Sequence, residues 1–372
     1  MTLPVSRPSI GQEELDEVEK VFATGWLGLG ATVLEFETRL REYLGAGQVL
    51  AVNTGTTALH IALDAFGIKA GDEVIVPSLT FCAGIQVITA LGARPVFCEI
   101  NPDNLNIDVA DVERKITDRT KAIMPVHYCG QACDMDALLE IGSRKDIYII
   151  EDAAHAFGSS YKGRMIGSFG HATCFSFDPI KNLTCGEGGA VALSDDKIAE
   201  VIRTKRILGI DKDTWHRYRN ERAWFYEVTT QGYRYHMSNI NAAIGLAQLK
   251  KCGAFILRKK EIVQKYNEAF GNVDGVTILS WNLRETAPFT YIFRVRDGAR
   301  EALMGFLKEK GVGTGIHYIP NHLQPFFKDY AVSLPVTEKI SEEILTLPLY
   351  YDMTDEQVST VIDAVGEFFE RG

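Results

Sequence analysis

The sequence predicts an α/β protein in which a mainly parallel, mixed sheet lies between helices and a smaller α+β domain follows. Short apolar runs alternate with helical stretches from residue 49 to residue 193, a pattern typical of β–α–β crossover units. From about residue 273 the strand and helix signals become shorter. With 372 residues the chain is long enough for two domains, and we place these at residues 1–250 and 251–372.

Local patterns predict the elements one by one. Apolar residues recur every three or four positions at residues 13–23 and 33–44, which predicts two amphipathic helices before the sheet. The predicted strands of the large sheet are at residues 49–52, 73–76, 95–100, 122–126, 147–151, 174–177 and 190–193. The helices predicted between and after them are at residues 57–66, 83–91, 109–116, 135–143, 199–208 and 238–270. The smaller domain has predicted strands at residues 291–295 and 313–318 and helices at residues 300–310 and 355–369.

The composition argues against several classes of protein. The formal net charge is −10, from 39 basic and 49 acidic residues, whereas a nucleic-acid-binding protein normally presents a basic face. The chain has no run of 18 apolar residues that would predict a membrane span, and its first residues lack the order of a signal peptide. The seven cysteines are scattered without metal-ligand spacing. We therefore expect a cytoplasmic protein with reduced thiols and no bound metal, nucleic acid or membrane.

Two side chains that could carry chemistry follow predicted strands. The stretch IIEDAAHAFG places Asp152 at the end of an apolar strand, where open α/β sheets bind their ligands. Lys181 lies 29 residues later on a polar loop between two predicted strands, so it could reach the same edge. Asp152 could simply cap the next helix, or the two could form a salt bridge. They could also bracket a pyridine ring, with the lysine holding an aldehyde as a Schiff base and the aspartate holding the ring nitrogen.

A phosphate site is predicted where the first strand of the sheet meets a helix. The stretch AVNTGTTALHIAL turns directly from strand to helix at Gly55, and helix N-termini present unpaired N–H groups to anions. Ser176, on the strand before Lys181, could add a hydroxyl group. Phe81, after another strand end, is positioned to stack on an aromatic ring. Each has an ordinary alternative, because Thr and Asn are common caps and Phe81 could be a core side chain.

Taken together, these motifs resemble the DegT/DnrJ/EryC1/StrS aminotransferases, which are pyridoxal-phosphate enzymes of fold type I that aminate nucleotide-linked keto sugars. The resemblance covers nearly the whole chain. It is carried by the segments GWLGLG with the following VLEFE, NTGTTALHIAL, GDEVIVPSLTF, EDAAHAFG, FSFDPIKNLTCGEGGAV, YRYHMSNINAAIGLAQL, HYIPNHLQPFF and LPLYYDMTDEQ. It implies that residues 1–250 form the large cofactor-binding domain and residues 251–372 the small C-terminal domain.

The resemblance also implies roles for individual residues in holding pyridoxal 5'-phosphate. Lys181 would form the internal aldimine and act as general base, and Asp152 would pair with the pyridinium nitrogen. The implied contacts to the ring and the phosphate are Phe81, His155, Gly55, Thr56 and Ser176. Many relatives have Asn in the segment GYNYRM, which reaches the phosphate of the neighbouring subunit's cofactor. Here Arg234 stands at that position, which departs from the pattern but would still suit a phosphate.

The resemblance implies a homodimer with two active sites at its interface. It also implies a reaction with two half-reactions. Glutamate would convert the cofactor to pyridoxamine 5'-phosphate, and the ketone of a nucleotide-linked keto-deoxysugar would then take the amino group. The family segments that border the sugar place Trp26, Leu27, His317 and Tyr318 near the substrate. A glycine turn is the alternative for the first pair, and a structural histidine is the alternative for His317. Aromatic residues at 215–226 could stack on the nucleobase or simply pack in the core or dimer.

Other functions remain open from sequence alone. A catalytically idle regulator or biosynthetic partner would be expected to lose Lys181 or Asp152, and both are present. A nicotinamide oxidoreductase would need a glycine fingerprint after its first strand, which is missing here. Relatives that dehydrate the sugar carry histidine in place of the lysine. A pyridoxal-phosphate enzyme acting on another small substrate also remains an alternative, because fold does not fix function.

Overall fold

The computed structural model describes residues 2–210 and 226–371. Its large sheet has seven strands in the spatial order β1–β9–β8–β5–β4–β2–β3, and a two-stranded hairpin, β6–β7, lies apart. The strands are β1 Gln48–Val52, β2 Glu73–Pro77, β3 Arg94–Cys98, β4 Thr120–Ile123, β5 Tyr148–Asp152, β6 Ser160–Tyr161, β7 Arg164–Met165, β8 Ala172–Ser176 and β9 Gly189–Leu193. Strand β9 pairs antiparallel with β1 and β8, and the other neighbours pair parallel. The predicted mixed, mainly parallel sheet is confirmed.

Both faces of the sheet are buried by helices. In β1, Val49 and Ala51 belong to one apolar cluster, whereas Leu50 and Val52 belong to another, because successive side chains of a strand point to opposite faces. The helices are Gln12–Thr24, Ala31–Leu44, Gly55–Ala65, Ala83–Ala90, Val109–Lys115, Met135–Lys145, Asp196–Lys205, Asn239–Phe270, Arg300–Glu309, Pro335–Glu343 and Asp355–Glu370. This three-layer arrangement leaves the ends of the strands free to carry a site.

The long helix Asn239–Phe270 connects two parts of the structure. Its first half packs with the cluster under the large sheet, and its last turns pack with a second core. By length and composition alone this helix could cross a membrane, with a mean hydropathy of 1.2 in its most apolar window. Core helices pass the same test, and 44% of that window is buried inside the protein. The predicted domain boundary, after residue 250, falls within this helix and stays a prediction.

The C-terminal part has a three-stranded antiparallel sheet, with β10 at Val276–Ile278, β11 at Tyr291–Val295 and β12 at Ile344–Leu347. The strand predicted at residues 313–318 is wrong, because this segment divides its backbone hydrogen bonds between two partners. Gly313 N donates to Leu3 O at 2.8 Å, and Gly315 pairs with Thr346 in an isolated bridge. No continuous ladder forms there. The third strand of this sheet is β12 instead, and the segment around Leu3 forms an isolated bridge with Val312. Neither segment shows a clear alternating pattern in the sequence.

Candidate active site

A cavity of about 350 Å³ lies at the carboxyl ends of β5 and β8. The helix Gly55–Ala65 points its first residues at the cavity, and the loop after β8 and the segment 317–318 of the C-terminal part complete its wall. The end of a parallel strand and the start of a helix therefore meet at one place. This is the edge of an open α/β sheet at which ligands bind.

Lys181 lies in the wall of this cavity on the loop after β8. Its backbone N–H donates to Asp178 O at 3.1 Å, which forms a tight turn. Its Nζ atom lies 4.1 Å from the centroid of the Phe289 ring, so one side of the amine faces an aromatic surface rather than water. Burial lowers the pKa of Lys181 to about 8, although the negative charges of Asp178 and Asp152 act in the opposite direction.

Asp152 is the last residue of β5 and is 6% exposed. Burial raises the pKa of its carboxyl group, opposed by the hydrogen bond from Ala154 N at 3.0 Å and by the charge of Lys181. The alternative that Asp152 caps a helix is wrong, because residues 153–158 form turns and no helix. These turns bring His155 into the same cavity wall as Asp152. A buried carboxylate in the cavity wall is suited to a cationic partner.

A buried hydrogen-bonded pair, Glu151 and His127, fixes the strand that carries Asp152. Glu151 points to the opposite face of β5, where its carboxylate accepts hydrogen bonds from His127 Nε2 at 2.9 Å and from Thr173 Oγ1 at 2.7 Å. Cys133 N donates to His127 Nδ1 at 3.0 Å, so the ring proton of His127 is on Nε2. All polar atoms of this pair are thus satisfied, and strand β5 is held rigidly where it carries Asp152. His127 was not predictable from the sequence, because no motif or spacing connects it with Asp152.

The helix Gly55–Ala65 offers an anion site at its start. Thr54 caps the helix, because its Oγ1 accepts from Thr57 N at 3.1 Å, and Gly55 and Thr56 line the cavity. Their N–H groups precede the first helical hydrogen bond. A Cβ atom at Gly55 would lie 2.7 Å from Ser176 Cβ, so only glycine allows the Ser176 hydroxyl to stand this close to the helix start. Gly55, Thr56 and Ser176 are thus brought together as the sequence indicated.

Aromatic side chains cover the cavity. Phe81 lines it and is 56% exposed, with its ring centroid 5.7 Å from that of Tyr318. The His155 ring stacks on Phe289 at 4.3 Å, and its Nε2 lies 3.1 Å from Tyr318 Oη. His155 Nδ1 is buried and has no hydrogen-bond partner within the described residues. His317 Nδ1 lies 2.9 Å from Thr346 Oγ1.

Three of the residues named from the sequence lie outside the cavity wall of their own chain. Trp26 Nε1 donates to Leu29 O at 2.8 Å, Leu27 is 42% exposed, and Arg234 is exposed. The aromatic residues at 215–225 lie outside the described residues. Conversely, the structure adds Asp178, Glu187 and Phe289 to the site or its immediate surroundings. The first two lie within six residues of Lys181, so loop proximity could have identified them, whereas no pattern connects Phe289 with the lysine.

The residues present fit pyridoxal 5'-phosphate. The helix start with Gly55 and Ser176 matches a phosphate, the amine of Lys181 matches an aldehyde, and the buried carboxyl of Asp152 matches a protonated ring nitrogen. The unpartnered Nδ1 of His155 and the exposed ring of Phe81 leave a polar and a stacking contact for the same ring. A cavity of about 350 Å³ also lies within the usual size of cofactor sites.

Comparison with known proteins agrees with this fit. The model of the DegT/DnrJ/EryC1/StrS aminotransferase family matches residues 8–366. The spore coat polysaccharide biosynthesis protein SpsC of Bacillus subtilis is 40% identical, over 98% of this chain and 96% of that protein. The aminotransferase TlmJ of Streptoalloteichus hindustanus is 35% identical with a TM-score of 0.93, over 100% and 99% of the two chains. Spr1654 of Streptococcus pneumoniae, provisionally named a sugar aminotransferase and solved in a pyridoxamine-phosphate form, is 30% identical with a TM-score of 0.93, over 99% of each chain.

Fold and site define a pyridoxal-phosphate-dependent aminotransferase of fold type I that acts on sugars. Within that class, the chain belongs to the DegT/DnrJ/EryC1/StrS aminotransferase family.

Proposed function

We propose that this enzyme transfers an amino group from L-glutamate to the ketone of a nucleotide-linked keto-deoxysugar, with Lys181 as the residue that holds the cofactor and moves the proton. The observation that carries the proposal is the placement of Lys181 Nζ in the cavity wall with Asp152, beside the start of the helix Gly55–Ala65. When bound, pyridoxal phosphate supplies an aldehyde that a lysine amine can attack and a ring that accepts electrons from the substrate.

The chemical role of Lys181 follows from its surroundings. Because burial lowers the pKa of its amine to about 8, the unprotonated amine is far more populated at neutral pH than it would be for an exposed lysine. The same Nζ atom can later take a proton from the substrate carbon and return it elsewhere. The tight turn at Asp178 fixes the backbone, so that only the side chain needs to swing.

The other residues bind and orient. Asp152 would hold the proton on the ring nitrogen, and Gly55, Thr56 and Ser176 would bind the phosphate. Phe81 would stack on one face of the ring, and His155 would contact the ring hydroxyl. His317 and Tyr318, which line the same cavity, would contact the sugar from the C-terminal part.

We propose a homodimer whose subunits share residues at each site, because the described cavity wall of one chain is rich in carboxylates. Beside Lys181, the described cavity wall carries three carboxylates, those of Asp152, Asp178 and Glu187, although phosphates and the substrate carboxylates are anionic. We propose that the partner subunit supplies cations, with Arg234 reaching the partner's cofactor phosphate. Arg234 is exposed and lies outside the cavity wall of its own chain, which supports such a role. Trp26 and Leu27, on a partly exposed segment after the helix Gln12–Thr24, would border the sugar.

A cytoplasmic location fits the thiols. All seven cysteines are free, and six of them are buried, as in proteins of reducing compartments.

The test is a coupled transfer assay with defined substrates. Purified protein with pyridoxal phosphate and L-glutamate is offered 3-keto and 4-keto deoxysugars linked to a nucleoside diphosphate, and each free sugar serves as a control. We expect 2-oxoglutarate and the aminated nucleotide sugar in equal amounts. In Lys181→Ala the rate should fall by at least about 10³-fold, whereas Lys308→Ala, at an exposed lysine, should keep it.

Two results would overturn the proposal. Transfer to the free sugars at the same efficiency would exclude the nucleotide as part of the substrate. Glutamate consumption without any amination of a sugar, or full activity in Lys181→Ala, would exclude the assigned chemistry and favour the alternative of a different substrate or a regulatory role.

A further inference from the structure

A second lysine is buried behind the site and has no role in the reaction outlined above. Lys259, on the helix Asn239–Phe270, is 5% exposed, and none of the ion pairs within residues 2–210 and 226–371 includes it. Burial lowers its pKa to about 8. Burying an amine lowers the stability of the folded protein. The contacts of Lys259 can therefore show which function its burial serves.

Lys259 contacts the residue next to Lys181. Its Nζ donates to Asn182 Oδ1 at 2.9 Å. The amide nitrogen of Asn182 donates in turn to Phe157 O at 3.3 Å and to Ala287 O at 3.1 Å. We call Lys259, Asn182 and these two carbonyl groups the Asn182 cluster. Since the amide oxygen is engaged by an ammonium group, its nitrogen must face the two carbonyls, and the orientation of Asn182 is fixed.

The Asn182 cluster joins the three segments that carry the amine and its surroundings. Asn182 follows Lys181 directly, Phe157 follows His155 by two residues, and Ala287 precedes Phe289 by two. The ring of Phe289 faces Lys181 Nζ, which lies 4.1 Å from its centroid, and the ring of His155 stacks on Phe289 with the ring centroids 4.3 Å apart. A displacement of Asn182 would therefore move the reactive amine relative to both rings.

Among residues 2–210 and 226–371, no group that is anionic at neutral pH forms an ion pair with Lys259 or shifts its pKa. Burial raises the pKa of Cys252, on the same helix, to about 12, so this thiol stays neutral, as does Tyr43, which contacts it. The groups that act on Lys259 are Cys252 and Lys181. The carboxylates of Asp178 and Asp152 raise the pKa of Lys181, whereas the charge of Lys181 lowers the pKa values of His155, His317 and Lys259. In the described part of the chain, Lys259 is thus a buried positive charge without an anionic partner, in contact with the residue that follows Lys181.

We propose that Lys259 is a positioning residue for this enzyme, which fixes the Lys181 side chain through Asn182 and, as a buried positive charge, disfavours protonation of the Lys181 nitrogen both in the free amine and when the cofactor is bound. A cation beside a reactive lysine is a known means of keeping that lysine unprotonated. The inference rests on the proposed role of Lys181 as the cofactor-holding residue.

The test measures a spectrum and not turnover. Protein loaded with pyridoxal phosphate, without substrate, is titrated from about pH 6 to about pH 10, and the midpoint of the change in its near-visible absorbance is recorded. Lys259→Met removes the charge with a side chain of similar length, Lys259→Arg keeps the charge, and Lys260→Met changes the neighbouring, more exposed lysine. We expect the midpoint to rise by about one pH unit in Lys259→Met and to stay near the wild-type value in the other two.

If Lys259→Met fails to fold, a second variant tests the same inference. Asn182→Asp keeps the size of the side chain and gives Lys259 a counter-charge, so it should raise the midpoint as well. A wild-type midpoint in whichever of these variants folds, or a spectrum without pH dependence, would overturn the inference. If instead the loaded spectrum is the same in wild type and in Lys181→Ala, the proposed role of Lys181 fails and not only the role of Lys259.

Discussion

Asp152 shows how a single residue acquires its function from its place at the end of a strand. Its carboxyl is buried, which raises its pKa, and the Ala154 N–H group and Lys181 work against this effect. The sequence indicated this residue because a carboxylate follows an apolar strand. Its support by Glu151 and His127 was not predictable, because these contacts join residues 24 positions apart across the sheet.

Asp152→Asn tests this placement at the scale of the residue. Asn keeps the acceptor for Ala154 N–H but cannot carry the charge that holds a proton on the ring nitrogen. We expect the transfer rate to fall by about 10²- to 10⁴-fold, with the far-ultraviolet circular dichroism spectrum unchanged. The measurement is the steady-state rate of 2-oxoglutarate formation.

Asp178→Asn is the matched control in the same cavity. Asp178 Oδ1 accepts from Ile180 N at 3.0 Å, and the oxygen of Asn can do the same. We expect less than about a tenfold loss of rate. Equal losses in both variants would contradict the specific role of Asp152.

At the scale of elements, the phosphate site depends on how closely the helix Gly55–Ala65 approaches the end of β8. The strand-to-helix turn was predictable from the sequence, because the capping residue and the glycine stand together there. The short distance between the helix start and Ser176 was not predictable, because it depends on β9 pairing antiparallel with both β1 and β8. The same limit explains the wrong strand at residues 313–318, whose backbone partners are supplied by distant segments.

Gly55→Ala tests this approach. The new Cβ atom would lie 2.7 Å from Ser176 Cβ, so either the helix start or the serine must move. We expect the dissociation constant for pyridoxal phosphate to rise by about 10- to 100-fold, which corresponds to the usual cost of such overpacking. A fluorescence titration of the cofactor-free protein with pyridoxal phosphate measures this constant.

Gly253→Ala provides the comparison, because a Cβ atom at this helical position meets no atom within 4 Å. Its dissociation constant should equal that of the wild type, and its stability should rise slightly, as alanine favours helix. Unchanged cofactor binding in Gly55→Ala would argue that the phosphate lies elsewhere.

At the scale of the whole molecule, the long helix Asn239–Phe270 packs in both the core of the large sheet and the core of the C-terminal part, so it connects the C-terminal part with the site. It packs with the core under the large sheet and with the C-terminal core, and it carries Lys259 between the two. The helix itself was predictable from its length and periodicity. The burial of Lys259 was not, because a lysine within such a pattern normally lies on the solvent side.

A pH dependence of stability follows from this burial. The pKa of Lys259 is about 8 in the folded protein and 10.5 as its ordinary value, so between these pH values the unfolded chain binds a proton that the native state does not. The free energy of unfolding of the wild type, relative to Lys259→Met, should therefore rise with pH over this window. The contribution of Lys259 itself to this rise should reach about 3 kcal/mol, since one pKa unit corresponds to about 1.4 kcal/mol.

Urea unfolding of the two proteins with the cofactor removed, at a series of pH values, measures this difference. The buried cysteines, whose raised pKa values destabilise the fold at high pH, are common to both proteins and cancel in the comparison. Stability curves that run parallel from about pH 8 to about pH 10.5 would contradict the burial of a titrating amine.

The central claim, that Lys181 holds pyridoxal phosphate and glutamate supplies the amino group, is tested most directly by one spectrum. The near-visible absorbance of the protein with pyridoxal phosphate is recorded before and after L-glutamate is added. We expect a yellow band that is absent in Lys181→Ala and that glutamate converts into the band of the amine form of the cofactor. A protein that stays colourless with added pyridoxal phosphate, or a yellow band indifferent to glutamate, would contradict it.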